Sequence, residues 1–248
     1  MKGSNRKIDS KAEALISEFL CKYLYDKLAK DHESFSYKRI IDNDLQRKGI
    51  DVILKWDGDL PREINVDEKA TVYYFNKMIP TFAFEIDSIQ TDEGTCYPGW
   101  FINDDLLTEW YHLVWPNARP NWKSKENVFN LHQLEVEDIT ICETMLISKK
   151  VLKTNVRNVF GLNSNEELNE FLLEQSAKLR AGAPLALPTI TTVEKDNFTK
   201  IKIDDNYSLY YSKSIAEKPV NLVISKDKLL ELAGHVYLVC QDGYGTIK

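Results

Sequence analysis

From Ala12 to Leu28 the apolar residues Ala12, Leu15, Ile16, Phe19, Leu20, Tyr23, Leu24 and Leu28 recur at helical spacing, which predicts an amphipathic helix with Ser10 as its N-cap. A helix with one apolar stripe has to bury that stripe against a second layer. The chain supplies candidates for that layer directly afterwards. Two short β-like runs, Gly49 to Leu54 and Ile64 to Lys69, flank Trp56-Asp57-Gly58-Asp59-Leu60-Pro61, and the Asp-Gly and Pro of this turn predict an antiparallel hairpin. Lys30 to Tyr37, mostly polar, reads as a loop. Thr81 to Ile86 reads as a third strand, giving the order helix, strand, strand, strand.

Further along, Thr108 to Trp115 is strand-like and aromatic, with Pro116 and Pro120 expected to end it, and Ile139 to Ile147 reads as another strand. Helices are expected at Lys149 to Val159 and at Glu166 to Leu179, the latter capped by Ser164. The Ala-Gly-Ala-Pro-Leu-Ala-Leu-Pro stretch from Ala181 to Pro188 breaks the chain. Beyond it come strands at Thr199 to Ile203, Tyr207 to Tyr211 and Pro219 to Ile224, a helix at Lys226 to Ala233 and a last strand at His235 to Cys240. The expectation is an α/β protein with a main domain over residues 1–180 and a C-terminal α+β extension over 181–248, packed on the same core.

The 248 residues, 43% of them hydrophobic, suffice for a substantial core. No stretch approaches the roughly 20 apolar residues needed to span a bilayer, and the start lacks the apolar core of a signal peptide, so a cytoplasmic protein without membrane contact is expected. Cys21, Cys96, Cys142 and Cys240 are scattered, without a C-x-x-C pair or a nearby histidine cluster, which argues against a zinc site or a disulfide framework and for reduced, mostly buried thiols. A net charge of -6 argues against a sequence-blind, high-affinity nucleic-acid binder. The cations are unevenly placed, however. Lys149, Lys150, Lys153 and Arg157 run without an intervening acid and are candidates for phosphate contact, and Arg119, Lys123 and Lys125 form a second patch. Trp100, Phe101, Trp110, Tyr111, Trp115 and Trp122 suit an aromatic core better than a base-stacking surface.

The residues suited to chemistry lie on the hairpin. Side chains on one strand face repeat every second position, so Asp67 and Lys69 share a face and Glu68 takes the other. Asp51, on the neighbouring run, supplies a second carboxylate. Two carboxylates can hold a divalent cation that activates water and offsets charge on a phosphoryl group, and an ammonium beside them can orient that water or stabilise developing negative charge. The backbone carbonyl of Glu68 is a candidate third ligand.

Taken together, the helix, Asp51 and the Asp67-Glu68-Lys69 triplet resemble the PD-(D/E)xK phosphodiesterase superfamily over about Ala12 to Ile86, and Gln46-Arg47-Lys48-Gly49-Ile50-Asp51 looks like the Q-x-x-G-x-D lead-in of some branches. The resemblance implies a restriction endonuclease-like core (a helix, a three-stranded antiparallel meander, further helices and strands) and a Mg2+- or Mn2+-dependent nuclease acting on DNA. Asp51 matches the first acid, Asp67 the second and Lys69 the lysine. Many members add a Glu from the first helix; Glu13, at the border of the apolar stripe, is preferred to Glu18 on the polar side, although Ser10 and Glu13 also fit a capping box. Gln46 and Glu85 are supporting candidates. Two positions depart from the pattern, Ile50 in place of the family's Pro and Glu68 where an apolar residue is usual. Glu68 and the acidic net charge motivate an alternative, a catalytically inactive nuclease-like scaffold that serves as a nucleic-acid-binding or protein-assembly module. Self-association is left open by the sequence.

Overall fold

In a computed structural model, which describes residues 6–56, 62–89, 95–119, 131–187 and 190–248, the apolar stripe lies on a helix that begins before it. Helix α1 spans Arg6–Leu20, a π-helical turn covers Cys21–Tyr25, and α2 continues over Asp26–Asp31. Ser10 therefore lies inside α1 and is not its cap. An apolar stripe does not mark where a helix starts, because polar residues also take helical backbone angles. The wider i→i+5 turn also shifts the helical phase, so Tyr25, absent from the 3.6-residue stripe, is fully buried.

In chain order there follow β1 (Phe35–Arg39), α3 (Asn43–Arg47), β2 (Val52–Trp56), β3 (Arg62–Ala70), β4 (Thr81–Ile89), β5 (Cys96–Pro98), β6 (Trp110–Ala118), β7 (Ile139–Ser148), α4 (Lys149–Phe160), α5 (Asn165–Ala181), β8 (Thr191–Lys195), β9 (Phe198–Lys202), β10 (Tyr207–Ser212), β11 (Val220–Ser225), α6 (Lys226–Leu232), β12 (His235–Cys240) and β13 (Gly243–Thr246). They divide into two interleaved units. The first comprises Met1–Ile79, Leu107–Lys149 and Ala233–Lys248, the second Pro80–Leu106 and Lys150–Leu232. The boundary expected at 180/181 is thus replaced. β11 pairs with β4, Leu222 opposite Phe84, which ties the expected extension to Pro80–Leu106, while β12 returns to β7 of the first unit.

The first unit is built on a seven-stranded sheet in the order β1-β2-β3-β6-β7-β12-β13. All neighbours are antiparallel except β3 and β6, which run parallel with Val66 opposite Trp110. One face, including Val52, Leu54, Val66, Val114, Cys142 and Val239, packs on Ile16, Phe19, Leu20 and Leu24 of the helical segment. Burial of each such side chain contributes roughly 1.5–3 kcal/mol. The sheet curls around this helix. In a flat sheet, strands four places apart stand about 19 Å apart, yet Trp56 of β2 stacks on His235 of β12 with ring centroids 5.8 Å apart.

The second unit has a six-stranded antiparallel sheet, β5-β4-β11-β10-β9-β8. Helix α5 is capped as expected by Ser164, whose hydroxyl accepts from Glu167 N–H, and ends at the left-handed Gly182. Buried Asp87 on β4 accepts from Ser176 at 2.8 Å and pairs with Arg180, both on α5.

Several expectations need correction. Thr81 to Ile86 is a strand, but of the second sheet; the third strand of the meander is β1, which begins inside the Lys30 to Tyr37 stretch expected to be loop, and its Phe35 is buried. The antiparallel pairing of β2 with β3 is as expected, with Val52 opposite Val66, while turn residues 57–61 lie outside the described residues. Pro116 does not end β6. It pairs with Cys142 of β7, and β3 has stopped opposite Val114, so the N–H that proline lacks falls on an edge with no ladder partner among the described residues. Phe101, Tyr111 and Trp115 are buried, as an aromatic core requires; Pro120, Trp122, Lys123 and Lys125 lie outside the described residues. The four cysteines are free thiols, of which only Cys142 is buried and Cys96 is exposed. Among the described residues no helix is long and apolar enough to cross a membrane.

Candidate active site

Asp51 owes its position to a short helix rather than to a strand. Asp42 caps α3 by accepting from Asp44 and Leu45 N–H. The chain then turns through Gly49, whose φ of 75° suits glycine. Gly49 N–H donates to Gln46 C=O at 2.9 Å and Ile50 N–H to Leu45 C=O at 3.2 Å. This turn delivers Asp51 to the end of β2, where its N–H donates to Val66 C=O at 2.9 Å and its Oδ2 accepts from Glu68 N–H at 2.8 Å. Gln46, expected to support the site, donates from its side chain to Ile40 C=O at 3.0 Å and lines the same cleft as Asp51.

Asp67, Glu68 and Lys69 lie near the end of β3, just before its final residue Ala70. Asp67 is 2% exposed, its Oδ1 accepts from Lys69 Nζ at 2.6 Å, and its buried Oδ2 finds no hydrogen-bond partner within bonding geometry among the described residues. Asp51 and Asp67 are close enough to act on each other electrostatically. Burial first, and then the Asp67 carboxylate, push the Asp51 carboxyl up from 3.8 to about 7 against the opposing pull of Lys69. For Lys69 burial disfavours the charged form, but Asp67, Asp51 and, more weakly, Glu13 outweigh it and hold the ammonium above its ordinary value. Glu13 is exposed on α1 and lines the cleft of about 640 Å³ together with Arg39, Gln46, Asp51, Glu68 and Lys69; Glu18 lines it too. Since Ser10 is no cap, the capping-box role of Glu13 falls away.

Glu68 is neither solvated nor available as a side-chain ligand. Its carboxylate accepts from Arg39 Nη1 at 2.6 Å, Ser17 Oγ at 2.8 Å and Tyr25 Oη at 2.7 Å, and Tyr25 Oη lies 2.6 Å from Nδ1 of the buried His112. Burial alone would raise this carboxyl, but the His112 hydrogen bond and the Arg39 charge prevail and bring it down to about 2. The Glu68 backbone is better placed than its side chain. Val66 C=O and Glu68 N–H both address the β2 edge, and a strand residue turns its N–H and C=O to the same edge, so Glu68 C=O faces the side on which Asp51 sits. Among the described residues no three His, Cys, Asp or Glu side chains gather as a metal-binding group. Any cation here would rest on Asp51, Asp67 and backbone or solvent oxygens, a donor set that suits Mg2+.

The other candidates lie elsewhere. Glu85 is on β4 in the second unit, and its side chain accepts from Ser88 at 3.3 Å. The basic run does not form a solvated phosphate-binding face. Lys153 is 2% exposed and bound to Asp104 at 2.6 Å and Asn169 at 3.2 Å, Lys149 is 9% exposed, and Arg157 Nε is buried, whereas Lys150 is exposed. The amphipathic helix α4 packs its own lysine stems, which a charge count along the sequence does not register. Sequence reasoning missed Ser17, Tyr25, Arg39 and His112. The one available signal was Glu68 itself, since an acid at a buried position calls for partners. Compared with protein-family models, with curated proteins and with solved structures, the chain matches none.

Proposed function

We propose that this protein is a metal-dependent nuclease that hydrolyses DNA phosphodiester bonds, with Mg2+ or Mn2+ held by Asp51, Asp67 and the Glu68 carbonyl. The observation that carries the reading is the buried Asp67 Oδ2, without a hydrogen-bond partner among the described residues, beside an Asp51 whose own charge is resisted by burial and by its neighbour. Two adjacent carboxylates in that condition are relieved by a cation. The succession of a helix and a three-stranded antiparallel meander over β1, β2 and β3 supports it further, as does a cleft open beside these residues.

When bound, the cation would supply an activated water and offset charge on the phosphoryl oxygens. Asp51 and Asp67 would fix its place, each contributing oxygen. In the metal-free site the Asp67 and Asp51 carboxylates favour the charged form of Lys69, which suits it to stand as a positive charge near the phosphate. Glu13, across the cleft on α1, adds negative charge that helps keep Lys69 charged. The test is incubation of the purified protein with single-stranded, duplex, nicked and branched DNA in Mg2+ or Mn2+. Cutting that is abolished in Lys69→Ala supports the assignment; absence of cutting, or cutting that survives Lys69→Ala, refutes it.

A further inference from the structure

Every side chain proposed for catalysis sits on one of three segments that are not consecutive in sequence: α1 with Glu13, the lead-in to β2 with Asp51, and β3 with Asp67 and Lys69. One guanidinium reaches all three. Arg39, on β1, donates from Nη1 to Glu68 Oε2 at 2.6 Å and to Asp51 C=O at 3.3 Å, and from Nη2 to Ser17 C=O at 3.2 Å. Ser17 lies one helical turn beyond Glu13, on the same face of α1. The Glu68 carboxylate fastens the second side, taking Ser17 Oγ from α1 and Tyr25 Oη from the π-helical turn, while its N–H holds Asp51 Oδ2. Both ends of the pair are largely enclosed, with side chains 22% and 8% exposed.

Resting on the phosphodiesterase reading above, we propose that Arg39 and Glu68 are positioning residues: a buried clamp that sets Asp51 against Asp67 and aligns α1 with them, so that a divalent cation finds its oxygens already placed. The Asp51 backbone is held by its N–H to Val66 C=O and by Ile40 N–H to its own C=O, but these bonds place neither its carboxylate nor α1 relative to β3. The clamp adds the bonds that tie α1 and the Asp51 carboxylate to β3. Its specificity lies in the planar fork of arginine, because a lysine ammonium is a point donor that cannot span Glu68, Asp51 and Ser17 with the same geometry. Tyr25 takes part only because the π-helical turn rotates it inward. An apolar residue at position 68 could pack against α1, but it could not anchor Arg39.

The experiment measures Mn2+ binding by calorimetry in the full chain and in Arg39→Lys, Glu68→Gln and the apolar double variant Arg39→Met/Glu68→Leu, with thermal unfolding recorded alongside. Replacing a buried ion pair by apolar residues of similar size is often neutral for stability, so the double variant separates packing from positioning. The expected result is a loss of Mn2+ affinity of about 10- to 100-fold, the range for residues that orient metal ligands, in Arg39→Lys and in the folded double variant. Wild-type affinity in either folded variant overturns the clamp, as does recovery of both stability and affinity in the double variant. If the wild-type chain binds no Mn2+, the metal reading itself fails and the clamp is decided by crystal structures: Arg39→Lys should break the Glu68 N–H to Asp51 Oδ2 bond, and an unchanged Asp51 refutes it.

Discussion

Asp51→Asn should stabilise the metal-free protein. In the folded chain the Asp51 carboxyl titrates at about 7 instead of 3.8, which at about 1.4 kcal/mol per pH unit corresponds to about 4 kcal/mol of folding free energy lost at pH 8. Asp51 is partly exposed, so solvent screening reduces this to about 2 kcal/mol. The sign follows from linkage. A raised carboxyl opposes folding fully above pH 7, and the opposition is removed as the pH falls from 7 towards 3.8. Asn retains an oxygen that can accept from Glu68 N–H but carries no charge against Asp67. Differential scanning calorimetry in EDTA at pH 8 should show Asp51→Asn unfolding about 4–8 °C above wild type, with a gap that narrows steadily from pH 7 to pH 5. Saturating Mg2+ should raise the wild-type midpoint and leave that of Asp51→Asn unchanged. A variant no more stable than wild type at pH 8 in EDTA would refute the argument that the carboxylate pair is electrostatically loaded.

Other expectations follow from the same geometry. Glu68→Gln should cost about 3 kcal/mol at pH 6, because a carboxyl lowered from 4.5 to about 2 stabilises the fold above pH 4.5 and loses that contribution as the pH falls towards 2; urea midpoints of the variant and wild type should therefore converge between pH 5 and pH 3. Lys153→Ala should destabilise by about 2 kcal/mol through a lost buried stem, Lys153→Met by less, and neither should change DNA affinity measured by fluorescence anisotropy. Gly99→Ala should cost about 2 kcal/mol or more, since a Cβ there would stand 2.4 Å from the Glu85 carbonyl oxygen; an unfolding midpoint equal to wild type would contradict that close approach.

The local grammar of this chain is written in its sequence. The α1 stripe, the β2–β3 pairing, Ser164 as a cap and the spacing that puts Asp67 and Lys69 on one face all depend on residues a few positions apart, where periodicity and turn chemistry act directly. Asp51 and Asp67 came together for the same reason, as neighbours across a hairpin. What tertiary structure decided was everything that depends on residues distant in sequence. Thr81 to Ile89 pairs with Val220 to Ser225 and not with the hairpin, so the units interleave instead of following one another. Lys153 finds Asp104 and becomes buried instead of facing solvent. Glu68, out of pattern in the sequence, becomes the centre of a network drawn from α1, the π-helical turn, β1 and β6. A sequence shows that a buried charge needs partners; only the folded chain, by bringing Ser17, Tyr25, Arg39 and His112 to one point, determines which partners it has.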